Sequence, residues 1–566
     1  MTQVKHSQLL NALNGMQPSW PGLHPTASWA AKERLYYWTN VTDDSALFLA
    51  REQQFGRERL GGCRLGWQPN PVSKMLWSRI LLSSAGGRTL KSGASIATSN
   101  GSLFLRFKSS KTLPAQETED GTLIYTQGAM PDVARDILSK RHADNGAFFV
   151  CDLRDMAKKV ELWREFLPRV APFYAIKACR DPVVLNGLNT LGVNFDCSNK
   201  GELSAVLNMG VSPSRIVYAN TVKSPPDIEF AHHHGVRLMT FDSAEELAKV
   251  KDKGARLLLR IQADETGSQH SFNTKFGCTF SEAKSILQQA QNMGCSVVGV
   301  SFHVGCAYQS TEIFSHTIAR AKAIFDVAAN MGYNMTVLDI GGGFPGGLRR
   351  QHYFRKVCES IRLATDLHFP ESSGVHVIAE PGQFFVTSCY ALIVQVIGKR
   401  LREVVVDGIS QPHQELFINE SKDNCVSRNL YDYLDVSIWP LQEPLERPND
   451  VLTTVWGGTC NPIDCIQARK PLFEAHVGEW LLMDNIGAYS LSRASGFNGL
   501  PFAPVHYIAA DEDACAVRRI LDASPLRSGY CQPESVLKEA LLAQWRTETT
   551  TRDSRVAAAA AGALQC

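Results

Sequence analysis

Short apolar runs recur along the middle of the chain, and segments with apolar residues at helical spacing lie between them. Runs that are apolar on both faces are typical of buried parallel strands. The intervening segments, such as 244–253 and 316–332, place apolar residues three and four positions apart, as amphipathic helices do. The apolar runs are FYAIK (173–177), VNFDCS (193–198), IVYAN (216–220), LMTFDS (238–243), LLLRI (257–261), VVGVSFHVG (297–305), TVLDIGGG (336–343) and VHVIAEPG (375–382).

These eight predicted strands and the helices between them span about 210 residues. Strands that alternate with helices in this number predict a (β/α)8 TIM barrel at residues 171–385. A doubly wound open sheet is the structural alternative. After residue 385 the β-like runs continue without regular helices, which predicts a separate β-rich domain at residues 386–510. The predicted fold class is therefore α/β, a (β/α)8 TIM barrel plus a C-terminal β-rich domain.

The two ends of the chain are less regular than its middle. Residues 1–118 show no clear period and are predicted to form an N-terminal extension of unknown role. Residues 119–170 are predicted to lead into the core and partly to join the β-rich domain. The tail, residues 511–566, contains a low-complexity alanine-rich segment and is predicted to be partly disordered.

Composition narrows the class of protein. The net charge of +2 over 566 residues gives no electrostatic reason to expect nucleic acid or a membrane surface as a partner. No run of 18 apolar residues predicts a membrane span, and the first residues lack the apolar core of a signal peptide. Fifteen cysteines without dense regular spacing predict reduced thiols and a cytoplasmic protein.

Polar residues stand at the carboxyl ends of the predicted barrel strands, where barrel enzymes place their chemistry. Each one alone has an ordinary structural interpretation, since a lysine after a strand is usually solvated and a lone histidine is usually a core residue. Their conjunction carries more weight, because barrel closure brings all eight strand ends together. These residues are Lys177, Asp196, Asn220, Asp242, Arg260, His303, Gly341–Gly343 and Glu380.

One cofactor can use most of this set. Pyridoxal 5′-phosphate needs a lysine that forms a Schiff base and an acid beside the ring nitrogen. It also needs backbone N–H groups for its phosphate, and it benefits from a flat side chain stacked on the ring. Lys177, Glu380, Gly341–Gly343 and His303 can supply these four functions. No metal site is predicted.

The chain from about 121 to 509 resembles eukaryotic ornithine decarboxylase and its non-catalytic paralogues, the antizyme inhibitors. The resemblance implies a barrel plus a β-rich domain, pyridoxal 5′-phosphate as cofactor, and a head-to-tail homodimer with active sites at the dimer interface. The matching stretches, in order, are PFYAIKAC, FDCSNKGE, LMTFDSAEELAKV, VVGVSFHVG, LDIGGGFPG, IAEPG, WGGTC, HVGEW and DNIGAYS.

The resemblance assigns roles to the strand-end residues. Lys177 matches the Schiff-base lysine, His303 the histidine stacked on the cofactor ring, and Glu380 the acid at the ring nitrogen. Asp196 and Arg260 match polar residues that organise the cofactor site. The residues that match phosphate contacts are Gly341, Gly342, Gly343 and Tyr489.

Two further matches lie in the predicted β-rich domain. Cys460, in the stretch VWGGTCNPIDC, matches a cysteine that the partner subunit contributes to protonate the substrate carbon after CO2 leaves. Asp432 matches one of two acids that receive the substrate's distal ammonium. The residues alone leave Cys460 and Cys465 open to interpretation as a metal pair, a redox pair or neither.

Four positions depart from the family's pattern. The second ammonium-binding acid is Asn461 here, and a tyrosine nine residues before Asp432 is replaced by Asp423. The arginine of the family's E-P-G-R pattern, which binds the phosphate, is Gln383, and a serine near the phosphate is Cys306. Because removing one partner of a buried charge pair costs roughly 3–5 kcal/mol, Asn461 predicts weaker recognition of a distal ammonium.

Three functional interpretations follow. The first is an active decarboxylase of amine synthesis whose substrate is a neutral or aliphatic amino acid such as leucine. The second is a catalytically inactive protein that binds antizyme through residues 223–250, where Lys223 and Lys249 keep the family's basic character but Glu229 reverses one charge. An ordinary barrel helix with a solvated polar face is the alternative for this segment. The third interpretation is ornithine decarboxylase that makes putrescine.

Overall fold

The computed structural model describes the chain in nine segments. Strands β1 (Ala94–Ser99) and β2 (Ser102–Phe107) pair antiparallel within the predicted extension. Asp432, predicted to bind the substrate's ammonium, lies outside the described residues. The described segments are 94–99, 102–107, 113–118, 120–141, 146–250, 254–264, 272–426, 436–442 and 447–523.

Short strands and two helices precede the barrel. Helix α2 begins after Asp152, whose side chain accepts a hydrogen bond from the N–H of Arg154. Apolar residues of this helix, including Trp163, are buried against the barrel core. The elements are β3 (Ala115–Glu117), β4 (Leu123–Tyr125), α1 (Met130–Lys140), β5 (Phe148–Asp152) and α2 (Leu153–Phe166).

Eight parallel strands close into a barrel, and each pairs with the next strand along the chain. The first, β6, also pairs with the last, β13, so the barrel prediction is confirmed and the open-sheet alternative is wrong. The strands are β6 (Val170–Ala175), β7 (Asn194–Cys197), β8 (Ile216–Tyr218), β9 (Leu238–Phe241), β10 (Arg256–Arg260), β11 (Ser296–Ser301), β12 (Val337–Asp339) and β13 (His376–Ala379).

Helices follow the barrel strands. Five consecutive helices, α3 to α7, begin at a residue whose side chain accepts a backbone N–H of the first turn, which fixes where each helix starts. The helices are α3 (Pro182–Thr190), α4 (Lys200–Asn208), α5 (Pro225–His233), α6 (Ala244–Lys249), α7 (Phe280–Asn292), α8 (Glu312–Asn330), α9 (Gln351–His368) and α10 (Gln383–Val386).

Side chains from several barrel strands pack against one another in a compact apolar cluster. Its members are buried and come mainly from alternate strands, as in the layered interior of a TIM barrel. The barrel is therefore a packed core, and the carboxyl ends of its strands remain available for a site. The cluster contains Phe173, Val217, Leu258, Val337 and Ile378.

A second sheet joins strands from before and after the barrel. Strand β5 pairs antiparallel with β14 and parallel with β20. The 17-residue strand β14 turns into β15 at Asp407 and Gly408, whose φ angles of 51° and 80° suit a tight hairpin turn. The later strands are β14 (Tyr390–Val406), β15 (Ile409–Ile418), β16 (Ile438–Pro440), β17 (Val451–Trp456), β18 (Cys465–Leu472), β19 (Trp480–Met483) and β20 (Val505–Ile508).

The predicted domain boundaries stay predictions at both ends of the core. Strand β3 lies within the predicted extension, yet it pairs with β4 of the second sheet. Helix α11 (Ala514–Ala523) lies within the predicted tail. In the described part of the chain, no helix has the length and apolar character that a membrane span requires.

Candidate active site

A cavity of about 440 Å³ that opens to solvent lies where the carboxyl ends of the barrel strands meet. Barrel strand ends and the segment that follows β19 both contribute to its wall. The structure therefore brings together most of the residues that the sequence predicted for a cofactor site. Those that line the cavity are Lys177, Arg260, His303, Cys306, Gly343, Glu380, Gln383 and Tyr489.

Lys177 projects into this cavity from the end of β6. Its Nζ lies 3.2 Å from Oδ2 of Asp196, a buried residue of β7 that pairs with Ala175 in register. Enclosure lowers the pKa of Lys177, but Asp196, Tyr489 and Glu380 raise it further, so the net pKa lies above the usual lysine range. Lys177 is therefore an ammonium that Asp196 orients, and it must lose a proton before it can act as a nucleophile.

Two buried carboxyl groups lie together at the ends of β12 and β13. Asp339 shares a hydrogen bond with Glu380 and also accepts from Ser301 Oγ at 3.0 Å. Burial and then the charges of Asp339 and Asp196 raise the pKa of Glu380 well above its ordinary value. The pKa of Asp339 is raised to about 6, mainly by burial. A proton is therefore held between the two carboxyls, since neighbouring buried acids disfavour double ionisation.

His303 presents a neutral ring to the cavity. Its Nδ1 accepts a hydrogen bond from the N–H of Gly305 at 3.0 Å, which leaves the ring proton on Nε2. Burial, followed by the charges of Arg260 and Lys177, holds the pKa of His303 well below its usual range. The ring of Phe272 packs beside it, with centroids 4.7 Å apart. A flat, uncharged ring in this position suits stacking on an aromatic cofactor.

The glycine loop after β12 is closely packed. A Cβ on Gly341 would lie 2.1 Å from the carbonyl oxygen of Phe302, and one on Gly342 would lie 2.9 Å from His303 Nε2. A Cβ on Gly343 would meet another backbone oxygen at 2.4 Å. Gly341 and Gly343 also have φ angles of 65° and 96°, which favour glycine. Steric contact therefore requires glycine at all three positions.

The backbone donors of this loop have different partners. The N–H of Gly341 donates to Asp339 Oδ1 at 2.9 Å, so it is committed within the chain. Among the described residues, the N–H groups of Gly342 and Gly343 have no acceptor. The phosphate contact predicted for Gly341 therefore does not fit its backbone donor, whereas the other two glycines can offer theirs.

Three further residues that the resemblance places near the phosphate line the same cavity. Gln383 Nε2 donates to the carbonyl of Phe344 at 3.1 Å, so its amide is tied to the backbone. Tyr489 has a φ of 56° and is held by its N–H, which donates to Ala178 at 2.7 Å. A positive φ at a non-glycine residue is costly and is found at functional sites. Cys306 is half-buried in the cavity wall.

Cys460 and Asn461 lie elsewhere. Cys460 is exposed, and it is not among the described residues that line the cavity of its own chain. Asn461 Nδ2 donates to Asp423 Oδ2 at 2.5 Å, and Asn461 Oδ1 accepts from the N–H of Ile463. Two of the four substitutions that separate this sequence from the family's pattern are therefore in direct contact, beside the predicted proton donor.

Comparison with known proteins adds an independent observation. Residues 153–387 match the family described as pyridoxal-dependent decarboxylase, pyridoxal binding domain. The chain is 36% identical to antizyme inhibitor 2 of Xenopus laevis over 420 residues, covering 71% of this chain and 92% of the relative. It is also 36% identical to ornithine decarboxylase of Rattus norvegicus over 392 residues, covering 66% and 84%. The chain belongs to the ornithine decarboxylase family.

A solved structure supports the same conclusion for this decarboxylase family member. The arginine decarboxylase of Paramecium bursaria Chlorella virus, bound to agmatine, matches with a TM-score of 0.62 and 33% identity. The match covers 67% of this chain and all (100%) of that one. The predicted family, fold, pyridoxal cofactor and carboxy-lyase class are confirmed. The roles of individual residues stay predictions.

The cavity of this decarboxylase family member fits pyridoxal phosphate. Glu380 Oε1 and Asp196 Oδ1 are buried acceptors without a hydrogen-bond partner among the described residues. An unmet buried acceptor is costly, so a donor on a bound group would stabilise the site. A protonated ring nitrogen is such a donor for Glu380, and free N–H groups of the glycine loop suit the phosphate.

The predicted antizyme segment contains fewer available cations than its sequence suggests. Lys223 Nζ is fully buried and lies 2.8 Å from Glu246 Oε1. Lys249 pairs with the other oxygen of Glu246 and donates to the carbonyl of Lys223 at 2.7 Å. The two retained lysines therefore share the single carboxylate of Glu246, and the ammonium of Lys223 is not available at the surface.

Some residues that line the cavity of this family member, and Asp339, which contacts Glu380, were missed from the sequence. Asp339 was part of an apolar strand pattern, and its position two residues before Gly341 was the available signal. Phe272 and Phe276 line the cavity from the segment after β10, where the sequence shows no helical or strand periodicity. Arg493 lies four residues after Tyr489, where the sequence shows only a polar loop.

Proposed function

We propose that this protein is a pyridoxal-phosphate-dependent α-decarboxylase of an amino acid with a cationic side chain. The observation that carries the proposal is the convergence of Lys177, Asp196 and Glu380 on one cavity, with an unmet acceptor on each acid. A binding protein without catalysis has no need to keep this costly arrangement of buried charge.

The cofactor has a defined place in this proposal. Lys177 would attach it, Glu380 would face its ring nitrogen, and His303 would cover its ring. Gly342 and Gly343 would hold its phosphate. When bound, pyridoxal phosphate supplies an electron sink for the electron pair that remains on the α-carbon after CO2 leaves.

The remaining steps fall to residues of the chain. Asp196 orients the amine of Lys177 through the contact at 3.2 Å. Neutral His303 brings no positive charge close to the ring. Cys460, exposed on its own chain, would enter the cavity of a second copy and deliver a proton to the α-carbon.

The side chain of the substrate is the finer part of the proposal. Asn461 led to the hypothesis of a neutral substrate such as leucine, because it replaces an acid. The contact of Asn461 with Asp423 favours a cationic substrate instead, since a carboxylate remains at the same place. No cation pairs with Asp423 among the described residues. The names of two relatives specify ornithine and arginine, which are both cationic amino acids.

A substrate screen tests the proposal. CO2 release is measured with ornithine, lysine, arginine and leucine for the wild-type protein, Lys177→Ala and Asp423→Asn. We expect release from one of the cationic amino acids, none with Lys177→Ala, and a KM about tenfold to a hundredfold higher with Asp423→Asn. Asp450→Asn removes an exposed charge outside the cavity lining and serves as the control. Release from leucine alone would refute the cationic substrate and restore the neutral hypothesis.

Mixing two inactive variants tests the role of a second subunit. A Lys177→Ala homodimer lacks the lysine at both sites, and a Cys460→Ala homodimer lacks the proton donor at both. A mixed dimer has one site with both groups. We expect part of the activity to return on mixing. If mixed dimers form and no activity returns, Cys460 does not act across the interface.

Antizyme binding has weaker support than catalysis. The antizyme inhibitor relative favours it, but Lys223 is buried and Lys249 is paired. Glu229, on α5, adds a negative charge to the segment. Absence of both bound pyridoxal phosphate and CO2 release, together with antizyme binding, would replace the proposed enzyme with an antizyme-binding protein.

A further inference from the structure

The cationic side chains of the cavity are not equally available to a ligand. Lys177 is already paired with a buried carboxylate. Arg260 and Lys275 both lie over the ring of Phe276, at 4.7 Å and 5.0 Å from its centre. The side chain of Arg493 also lines the cavity, and it makes no hydrogen bond or ion pair with any described residue. Arg493 is therefore a guanidinium that can bind an anion without first losing a partner.

The local backbone fixes where Arg493 stands. The N–H of Tyr489 and the hydroxyl of Ser492 both donate to the carbonyl of Ala178, at 2.7 and 3.1 Å. Ala178 directly follows the predicted catalytic lysine. A single 3-10 turn, Leu491–Arg493, then brings the arginine to the cavity wall. The segment that carries Tyr489, a predicted phosphate contact, thus also carries the free guanidinium.

The position of the family's phosphate-binding arginine lacks a cation in this chain. Gln383, where the family's pattern has an arginine, is neutral, and its Nε2 is bound to the carbonyl of Phe344 at 3.1 Å. The amides of the glycine loop supply only partial positive charge to a phosphate dianion. A guanidinium matches phosphate geometry through two parallel N–H donors and keeps its charge at all working pH values.

We propose that Arg493 binds the phosphate of pyridoxal phosphate and takes over the function of the arginine missing at Gln383. The proposal rests on the proposed function only in requiring this cofactor; it does not depend on which amino acid is decarboxylated. In this proposal a phosphate ligand lost at Gln383 is replaced by an arginine on a different segment that lines the same cavity.

A second arginine provides the competing assignment. Arg350 lines a smaller neighbouring cavity that shares Gly343 and Gln383 with the main one. Tyr308 lines this smaller cavity, and its buried hydroxyl has no partner among the described residues. Gly343 and Gln383 belong to the wall between the two cavities, so Arg350 is the matched control for loss of one nearby guanidinium.

The experiment compares two ligands that differ by the phosphate. Dissociation constants for pyridoxal phosphate and for pyridoxal are measured by equilibrium dialysis with the full-length, cofactor-stripped protein. We expect Arg493→Gln to weaken pyridoxal phosphate about tenfold to a hundredfold and pyridoxal less than about twofold. Arg350→Gln should change neither constant by more than about twofold. Arg493→Lys should retain part of the phosphate-dependent affinity, because the ammonium keeps the positive charge but lacks the two parallel N–H donors of a guanidinium.

A rescue variant completes the test. Introducing Gln383→Arg into the Arg493→Gln protein should restore the affinity for pyridoxal phosphate. Equal weakening of both ligands by Arg493→Gln, or no weakening, would overturn the assignment. Selective loss with Arg350→Gln would also overturn it and move the phosphate to the smaller cavity. Failure of the wild-type protein to bind pyridoxal phosphate would overturn this inference and the proposed function together, whereas unchanged binding by an active Arg493→Gln enzyme would overturn the inference alone.

Discussion

Replacing Lys223 with methionine removes a cation from the protein interior and leaves its acidic partner behind. Lys223 Nζ lies 2.8 Å from Glu246 Oε1, with side-chain exposures of 0% and 1%. The same amine donates to the carbonyls of Thr240 at 2.6 Å and Asn220 at 3.0 Å. Breaking a buried ion pair costs about 3–5 kcal/mol, and Lys249 still pairs with Glu246. We therefore expect the free energy of unfolding to fall by about 3 kcal/mol, the lower end of that range.

Denaturant unfolding, followed by tryptophan fluorescence, measures this loss. Lys249→Met is the matched control, because Lys249 contacts the same carboxylate but its side chain is 28% exposed. Its removal should cost less than about 1 kcal/mol. A Lys223→Met protein with wild-type stability would refute the reasoning from burial. Loss of antizyme binding at unchanged stability would further show that Lys223 acts at an interface and not within the core.

Two other predictions concern stability. Burial raises the pKa of Glu420 from 4.5 to about 7, so its contribution to stability is present below pH 4.5 and is lost as the pH rises through 7. In the wild-type protein the free energy of unfolding should therefore decline by about 3 kcal/mol between these limits, and Glu420→Gln should remove that decline. Thermal unfolding of both proteins at pH 5 and pH 8 measures the difference. Identical pH profiles of the two proteins would contradict the prediction. Gly341→Ala should destabilise the protein much more than Gly374→Ala, because the φ angles of 65° and 67° are alike but only Gly341 lacks space for a Cβ. Gly374→Ala should cost about 1–2 kcal/mol, and equal losses in urea unfolding would show that steric contact with Phe302 is unimportant.

The barrel could be predicted from the sequence because its signal is local and repeated. Each apolar run is a strand of a few residues, and each strand pairs with the next one, so chain order fixes the topology. The second sheet could be predicted only in outline. Its strand β5 pairs with β14 and β20, and Phe149 meets Leu392 and Val505 across more than 200 residues of intervening sequence. No local pattern encodes a pairing at that separation.

In the candidate site, too, residues on regular elements could be predicted and residues on irregular segments could not. Lys177, His303 and Glu380 stand at strand ends, so barrel closure alone brings them together. Residues on irregular segments could not be placed in this way. The contact between Asn461 and Asp423 joins two loops that are 38 residues apart, and the buried Lys223 pairs with Glu246 of α6. Sequence reasoning identified each of these residues but could not show which side chains they contact.

The contact between Asn461 and Asp423 constrains the order in which substitutions can accumulate at this position. Returning Asn461 to aspartate by itself would bring two carboxylates to a distance of 2.5 Å, where like charges repel. Replacing Asp423 first would leave the asparagine without its acceptor and the loop without an acid. Each single reversal therefore removes a favourable contact, and the effect of a mutation at either position depends on the residue at the other. The two positions are energetically coupled, so they act as one unit of substitution in this chain.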